Sequence, residues 1–129
     1  MGSVEELEGE LIELSQLLTT PKEGECLFCY VHRMLTSHGC NCKLRWAARW
    51  RDLRAPRATA LERRLGSRGG YCDCEIFMNG WTASAAITTW DPETDDEIWP
   101  DPMPNCLGVR PRSTQSCSLW MRMSRRGGW

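Results

Sequence analysis

The chain has 129 residues, 41% hydrophobic and 26% charged, with a formal net charge of −1. That length favours one modest core. The near-neutral balance gives no overall reason to expect nucleic acid. No apolar run reaches the roughly 18 residues a membrane helix needs, so no membrane span is expected.

Met1 to Glu13 carries Glu5, Glu6, Glu8, Glu10 and Glu13 among its leucines, the opposite of a basic, then apolar, secretory leader. An unexported, cytoplasmic chain is expected, and reduced thiols there favour metal ligands over a disulfide framework. The charge is segregated. Residues 1–25 hold seven acidic side chains and one basic, and residues 43–68 hold nine basic and two acidic. Residues 69–105 hold eight acidic and no basic side chains, and residues 106–129 five arginines and no acid. Such blocks can pair within one fold or face a charged partner.

In chain order, Ser3-Val4-Glu5-Glu6 reads as a capping box, followed by an apolar stripe of Leu7, Leu11, Leu14 and Leu18. Thr20-Pro21-Lys22-Glu23 repeats the device, predicting a second helix from about Pro21 to His38 that stops at Gly39. Cys26 and Cys29 would then lie inside that helix, one turn apart. The same placement argues against a thioredoxin-like motif, which needs a strand-to-helix junction. Leu44 to Asp52 reads as a third helix carrying Trp46 and Trp50, and Pro56 to Leu65 as a fourth with Ala58, Leu61 and Leu65 inward. After the Gly69-Gly70 turn, Cys72, Cys74, Ile76 and Met78 alternate with Tyr71, Asp73, Glu75 and Phe77. That period predicts a strand with both thiols on one face and Asp73 and Glu75 on the solvated other. Thr88 to Trp99 reads as a hairpin with an acidic turn. Pro100, Pro102, Pro104 and Pro111 mark an extended segment, and residues 119–129 are expected to be partly disordered.

The expected fold is mainly α with a short β element, a small α+β domain stabilised by metal. Residues 1–82 would form a helical cysteine-cluster domain and residues 83–129 a hairpin- and loop-rich extension.

Eight cysteines carry the chemistry. Cys40-x-Cys42 and Cys72-x-Cys74 each put two thiolates close enough to share an ion, whereas a disulfide closing so small a ring would be strained. Four such thiolates suit tetrahedral Zn²⁺. Buried free thiols acting as small apolar groups are the plainer alternative. Cys26-x-x-Cys29 could join that site or pair with Cys106 and Cys117 in a second one. His32, on the same face as Cys29, is a possible ligand, and His38 reads as a helix-end residue. Arg45, Arg49, Arg63 and Arg64 beside Trp46 and Trp50 have the ingredients of a nucleic-acid surface. The competing reading buries the indoles and pairs the arginines with the acidic blocks.

Gly39-Cys40-Asn41-Cys42-Lys43-Leu44-Arg45 and Gly69-Gly70-Tyr71-Cys72-Asp73-Cys74-Glu75-Ile76 together resemble a family of small bacterial proteins of unknown function. Its pattern is G-C-D-H-T-L-R, then G-G-[YF]-C-D-C-E-[VI]. The resemblance implies a compact unit with a cysteine cluster and no assigned activity. It also implies that the Cys42 position, His in many members, is a ligand. Cys26, Cys29, Cys106 and Cys117 lie outside the matched motifs.

The resulting expectation is a non-enzymatic, structural-zinc interaction module with a protein partner. A nucleic-acid-binding regulator using residues 43–68 and a thiol-based redox or metal sensor are the alternatives. The zinc is expected at Cys40, Cys42, Cys72 and Cys74, so Cys74→Ser should harm the fold more than Cys117→Ser.

Overall fold

A computed structural model describes residues 4–123. Five helices come first: α1 (Val4–Leu18), α2 (Leu27–His38), α3 (Arg45–Arg54), α4 (Leu61–Gly66) and the single turn α5 (Asp73–Glu75). A π-helical turn, Ile76–Gly80, leads into β1 (Trp81–Ala83). The strands β2 (Thr89–Asp91), β3 (Asp96–Ile98) and β4 (Trp120–Arg122) complete two antiparallel pairs, β1 with β4 and β2 with β3. The small α+β class expected from the sequence is the one observed. The acidic hairpin is present too, with Thr89 opposite Ile98 and Asp91 opposite Asp96.

The core lies between α2 and α3. Leu27, Tyr30, Val31 and Met34 on α2 meet Trp46, Ala47 and Trp50 on α3, with Leu61 and Leu65 of α4 and Ile76 closing one side. Trp46 and Trp50 are thus core residues, and each indole N–H has a carbonyl acceptor: Gly39 at 3.1 Å and Glu25 at 3.1 Å. Buried polar atoms need such partners.

Several elements depart from the sequence expectation, each for a local reason. The second helix begins at Leu27 rather than Pro21. Residues 22–25 instead form a turn closed by the Glu25 N–H on the Lys22 carbonyl, with Gly24 at φ +73. The Glu25 carboxylate accepts the Lys22 N–H and two bonds from Arg33, at 2.8 and 3.0 Å, which holds that turn outside the helix. Cys26 becomes the N-cap, its sulfur accepting the Cys29 N–H at 3.3 Å. The fourth helix likewise starts late, because Pro56 and Arg57 form a turn.

From Asp73 onward, the strand expected over Tyr71–Met78 is helical instead. Asp73, expected to be solvated, is fully buried. Its Oδ2 accepts the Trp46 N–H at 2.9 Å and its Oδ1 the Ala47 N–H at 3.1 Å. The first turn of α3 leaves such donors without helical partners, and its N-cap residue, Leu44, has no side-chain acceptor. Asp73 supplies the cap from 26 residues away, and that demand outweighs the two-residue alternation. Burial pushes its carboxyl pKa up, while the N–H groups of Trp46 and Ala47 pull it back. Gly69, at φ +85, allows the preceding turn, because a Cβ there would meet that of Asn79 at 2.7 Å.

Of the segment expected to be partly disordered, residues 119–123 are described and carry β4. Trp120 is buried, and β4 pairs with β1 through Ala83 opposite Trp120 and Trp81 opposite Arg122. Strand β1 crosses the expected boundary between residues 82 and 83, and residues 124–129 lie outside the described residues. Asp73→Ala would strand two buried N–H donors and is expected to cost about 1–3 kcal/mol in urea unfolding. Asp73→Asn, which keeps one acceptor oxygen, should cost less. Unchanged stability in Asp73→Ala would show that the cap does not hold α3.

Candidate metal centre

The turn that ends at Cys26 and the first turn of α2 set two sulfurs side by side. The extended segment after β3 brings in two more. The Sγ atoms of Cys26, Cys29, Cys106 and Cys117 all lie within 4.8 Å of one another, although their residues are up to 91 positions apart. Cys29 and Cys117 are 3.6 Å apart. A tetrahedral Zn–S bond of about 2.3 Å implies sulfur separations near 3.8 Å. The donor set therefore fits a four-thiolate ion, and 3.6 Å is far beyond a disulfide bond of about 2.05 Å.

Several N–H groups donate to these sulfurs. The backbone of Cys26 and that of Gly108 reach Cys106 Sγ, each at 3.3 Å. Cys29 N–H reaches Cys26 Sγ at 3.3 Å, and the Trp120 indole reaches Cys29 Sγ at 3.3 Å. Such donors offset the charge that four thiolates would concentrate. Cys26 and Cys117 are buried. A hydrogen bond from the Cys29 thiol leads the effects that hold the Cys26 pKa down to about 5, against burial. The same bond, then burial, pushes Cys29 far up. Burial also raises Cys106. A cation bound there would take the place of the thiol protons.

The second group is Cys40, Cys72 and Cys74, again within 4.8 Å, with the last two sulfurs 3.4 Å apart. Cys40 follows the C-cap of α2, and Cys72 and Cys74 flank Asp73 on α5. Burial pushes Cys72 up to about 12. Burial also acts to raise Cys40, but the backbone N–H groups of Cys74 and Cys42 and the neighbouring thiols outweigh it, so Cys40 is lowered. Cys42, named with these three from the sequence, is exposed at φ +68, and its sulfur is not part of the group.

His32 joins neither group of sulfurs. Its ring sits among Phe77, Trp99 and Trp120, with centroids 5.5–5.8 Å away, and burial pushes its pKa down. The exposed His38 stacks on Trp46 at 5.4 Å. The arginines named for nucleic acid have mostly local roles. Arg45 lies 3.8 Å from the Trp46 ring, and Arg49 donates to the Thr19 and Gln16 carbonyls at the end of α1. Arg64 donates to Thr114 at 3.3 Å, and Arg63 is exposed. Since Trp46 and Trp50 are buried, neither indole presents a face for base stacking.

The sequence reading missed Gly108 and Trp120 as donors to the sulfurs. The Cys106-x-Gly108 spacing was the available signal, since a glycine two residues on can turn its N–H back to the thiolate.

Comparison with known proteins places the chain in a family. The family described as "Protein of unknown function (DUF2695)" matches residues 27–79. Uncharacterised proteins of Mycobacterium bovis and Mycobacterium tuberculosis are 37% identical over 71 residues, 54% of this chain and 72% of theirs. The chain belongs to this family. No solved structure matches it. The matched segment contains Cys40, Cys72 and Cys74 but only Cys29 of the four-sulfur group.

Trp120→Phe keeps an aromatic ring but removes a donor to Cys29. Loss of such an outer partner is expected to weaken metal binding about 10–100-fold. Competition with a chromophoric chelator reads this out, and parental affinity would show that the indole bond has no such role.

Proposed function

We propose that this member of the family is a non-enzymatic interaction module of the cytoplasm, held together by one structural Zn²⁺ at Cys26, Cys29, Cys106 and Cys117. The observation that carries the reading is the convergence of four sulfurs from distant segments, with N–H donors already aimed at them. A closed four-thiolate ion leaves no coordination position for a substrate water, which argues against catalysis at that metal. Thiols used as ligands suit a reducing compartment.

The interaction face on this reading is α1. Leu7, Leu11, Leu14, Leu17 and Leu18 are each between 53% and 74% exposed. Its C-terminus is anchored by Arg49 and by Tyr30, whose hydroxyl donates to the Thr19 carbonyl at 2.6 Å. A helix of 15 residues is marginal alone in water, so a partner covering the leucines would stabilise it. Glu8, Glu10 and Glu13 are exposed on the same helix. They disfavour a second copy and an anionic bilayer, and they suit an apolar helix flanked by Lys or Arg.

A structural zinc ion contributes roughly 10–16 kcal/mol in small zinc domains, as much as the whole stability of a typical domain, about 5–15 kcal/mol. Cys117→Ser should therefore lose its zinc and its cooperative melting, whereas Cys42→Ser should melt like the parent. This ranking replaces the one drawn from the sequence. A zinc-free parent, or a Cys117→Ser chain with parental melting, would overturn it. For α1, a Leu/Lys heptad peptide is expected to bind the parent in a salt-sensitive manner and not to bind Leu11→Glu/Leu14→Glu. Equal binding by both, or a parent that sediments as a dimer, would remove that assignment.

A further inference from the structure

We infer that Cys40, Cys72 and Cys74 form a second metal site, holding an exchangeable thiophilic d10 ion whose fourth coordination position faces outward. The inference deepens the metal-binding reading but does not depend on the four-sulfur ion.

The donor set is the first support. Three sulfurs lie within 4.8 Å of one another, with Cys72 and Cys74 only 3.4 Å apart. Soft thiolates select Zn²⁺ and Cu⁺ among biological cations. Three sulfurs satisfy Cu⁺ as they stand, whereas Zn²⁺ needs a fourth donor. Cys72 is buried, but Cys40 and Cys74 are half exposed, so the ion would rest on Cys72 with its open side toward solvent. Water, an external thiolate or the exposed Cys42 could occupy that side.

The scaffold is the second support, because protein hydrogen bonds fix the residues adjacent to all three cysteines. Gly39, immediately before Cys40, donates its N–H to the Leu35 carbonyl at 2.9 Å and accepts the Trp46 indole at 3.1 Å. Asp73, between the other two cysteines, is fixed by its bonds to Trp46 and Ala47 and by its own N–H on the Lys43 carbonyl at 3.1 Å. None of these bonds requires an ion. The four-sulfur group differs, since Cys106 and Cys117 lie in residues 99–119, which contain no helix or strand. Where the ligands are preplaced, metal binding need not be coupled to folding, and the ion can leave without unfolding the chain.

The test uses the full chain loaded with zinc under reducing conditions, then challenged with EDTA while metal release and the near-ultraviolet dichroism of the tryptophans are followed. The parent is expected to hold two ions and to release one rapidly with unchanged dichroism. Cys74→Ser and Cys40→Ser should each hold one ion, lack the rapid phase and keep the parental dichroism. Stoichiometric Cu⁺ should displace the rapid ion from the parent. A single ion in the parent, a rapid phase that persists in both variants, or unfolding of both variants with loss of all metal would each overturn the inference. Loss of the rapid phase in Cys74→Ser together with an unharmed Cys117→Ser would sustain this site while refuting the structural role of the other.

Discussion

Four sulfur atoms from three stretches of chain meet beside the first turn of α2, and much of the remaining architecture depends on that convergence. Cys26 and Cys29 belong to a helix start, whereas Cys106 and Cys117 arrive on a segment without regular structure. Such a segment has few backbone bonds of its own with which to offset its ordering entropy. Its ties to the rest of the fold include Val109 N–H on the Gly24 carbonyl at 3.0 Å, Arg64 on the Thr114 hydroxyl at 3.3 Å, the Ser84 N–H on the Leu119 carbonyl at 2.7 Å, the bonds to Cys106 Sγ and the sulfur contact at Cys117. The cluster lies just before β4. Trp120 follows Cys117 by one short turn, returning its indole to Cys29 while its backbone pairs with Ala83.

A second constraint acts at the other end of the core. Asp73 is a buried carboxylate-bearing residue whose acceptors serve another helix, so the position of α3 and the geometry of the Cys72–Cys74 turn are one arrangement. Moving α5 would uncap α3, and moving α3 would strand a carboxyl group inside the core. The three-sulfur group inherits rigidity from this coupling. The C-terminal half of the four-sulfur group instead arrives on residues 99–119, which contain no helix or strand, and this separates the two clusters physically even though both are built of thiols.

The sequence carried the helical frame because periodicity and buried indoles agree there. Trp46 and Trp50 at i and i+4, Leu61 and Leu65, and the Gly69-Gly70 turn all occupy the expected places. The acidic hairpin was legible from its β-branched and aromatic flanks around a polar turn. What could not be read were demands made by distant residues. Alternation over Tyr71–Met78 is a local signal, and it lost to two N–H donors on α3 that needed Asp73. Pro21 offered a helix start, and it lost to a Glu25 carboxylate engaged by Arg33. The cysteines that gather into close groups were legible as candidates by type and spacing. Their division into groups was not, since spacing links Cys40 to Cys42, whereas folding links Cys40 to Cys72 and Cys74.

Cys42 shows why adjacency in sequence misleads here. A left-handed backbone at φ +68 turns the chain between Cys40 and Lys43, and the Lys43 carbonyl must then face the Asp73 N–H. That requirement fixes the loop and leaves the Cys42 side chain exposed, while its N–H supports Cys40. The backbone of a Cys-x-Cys pair and its second sulfur can therefore serve different ends. At this loop the N–H stabilises a neighbouring thiolate, and the sulfur stays accessible to whatever approaches the outward side of the three-sulfur group.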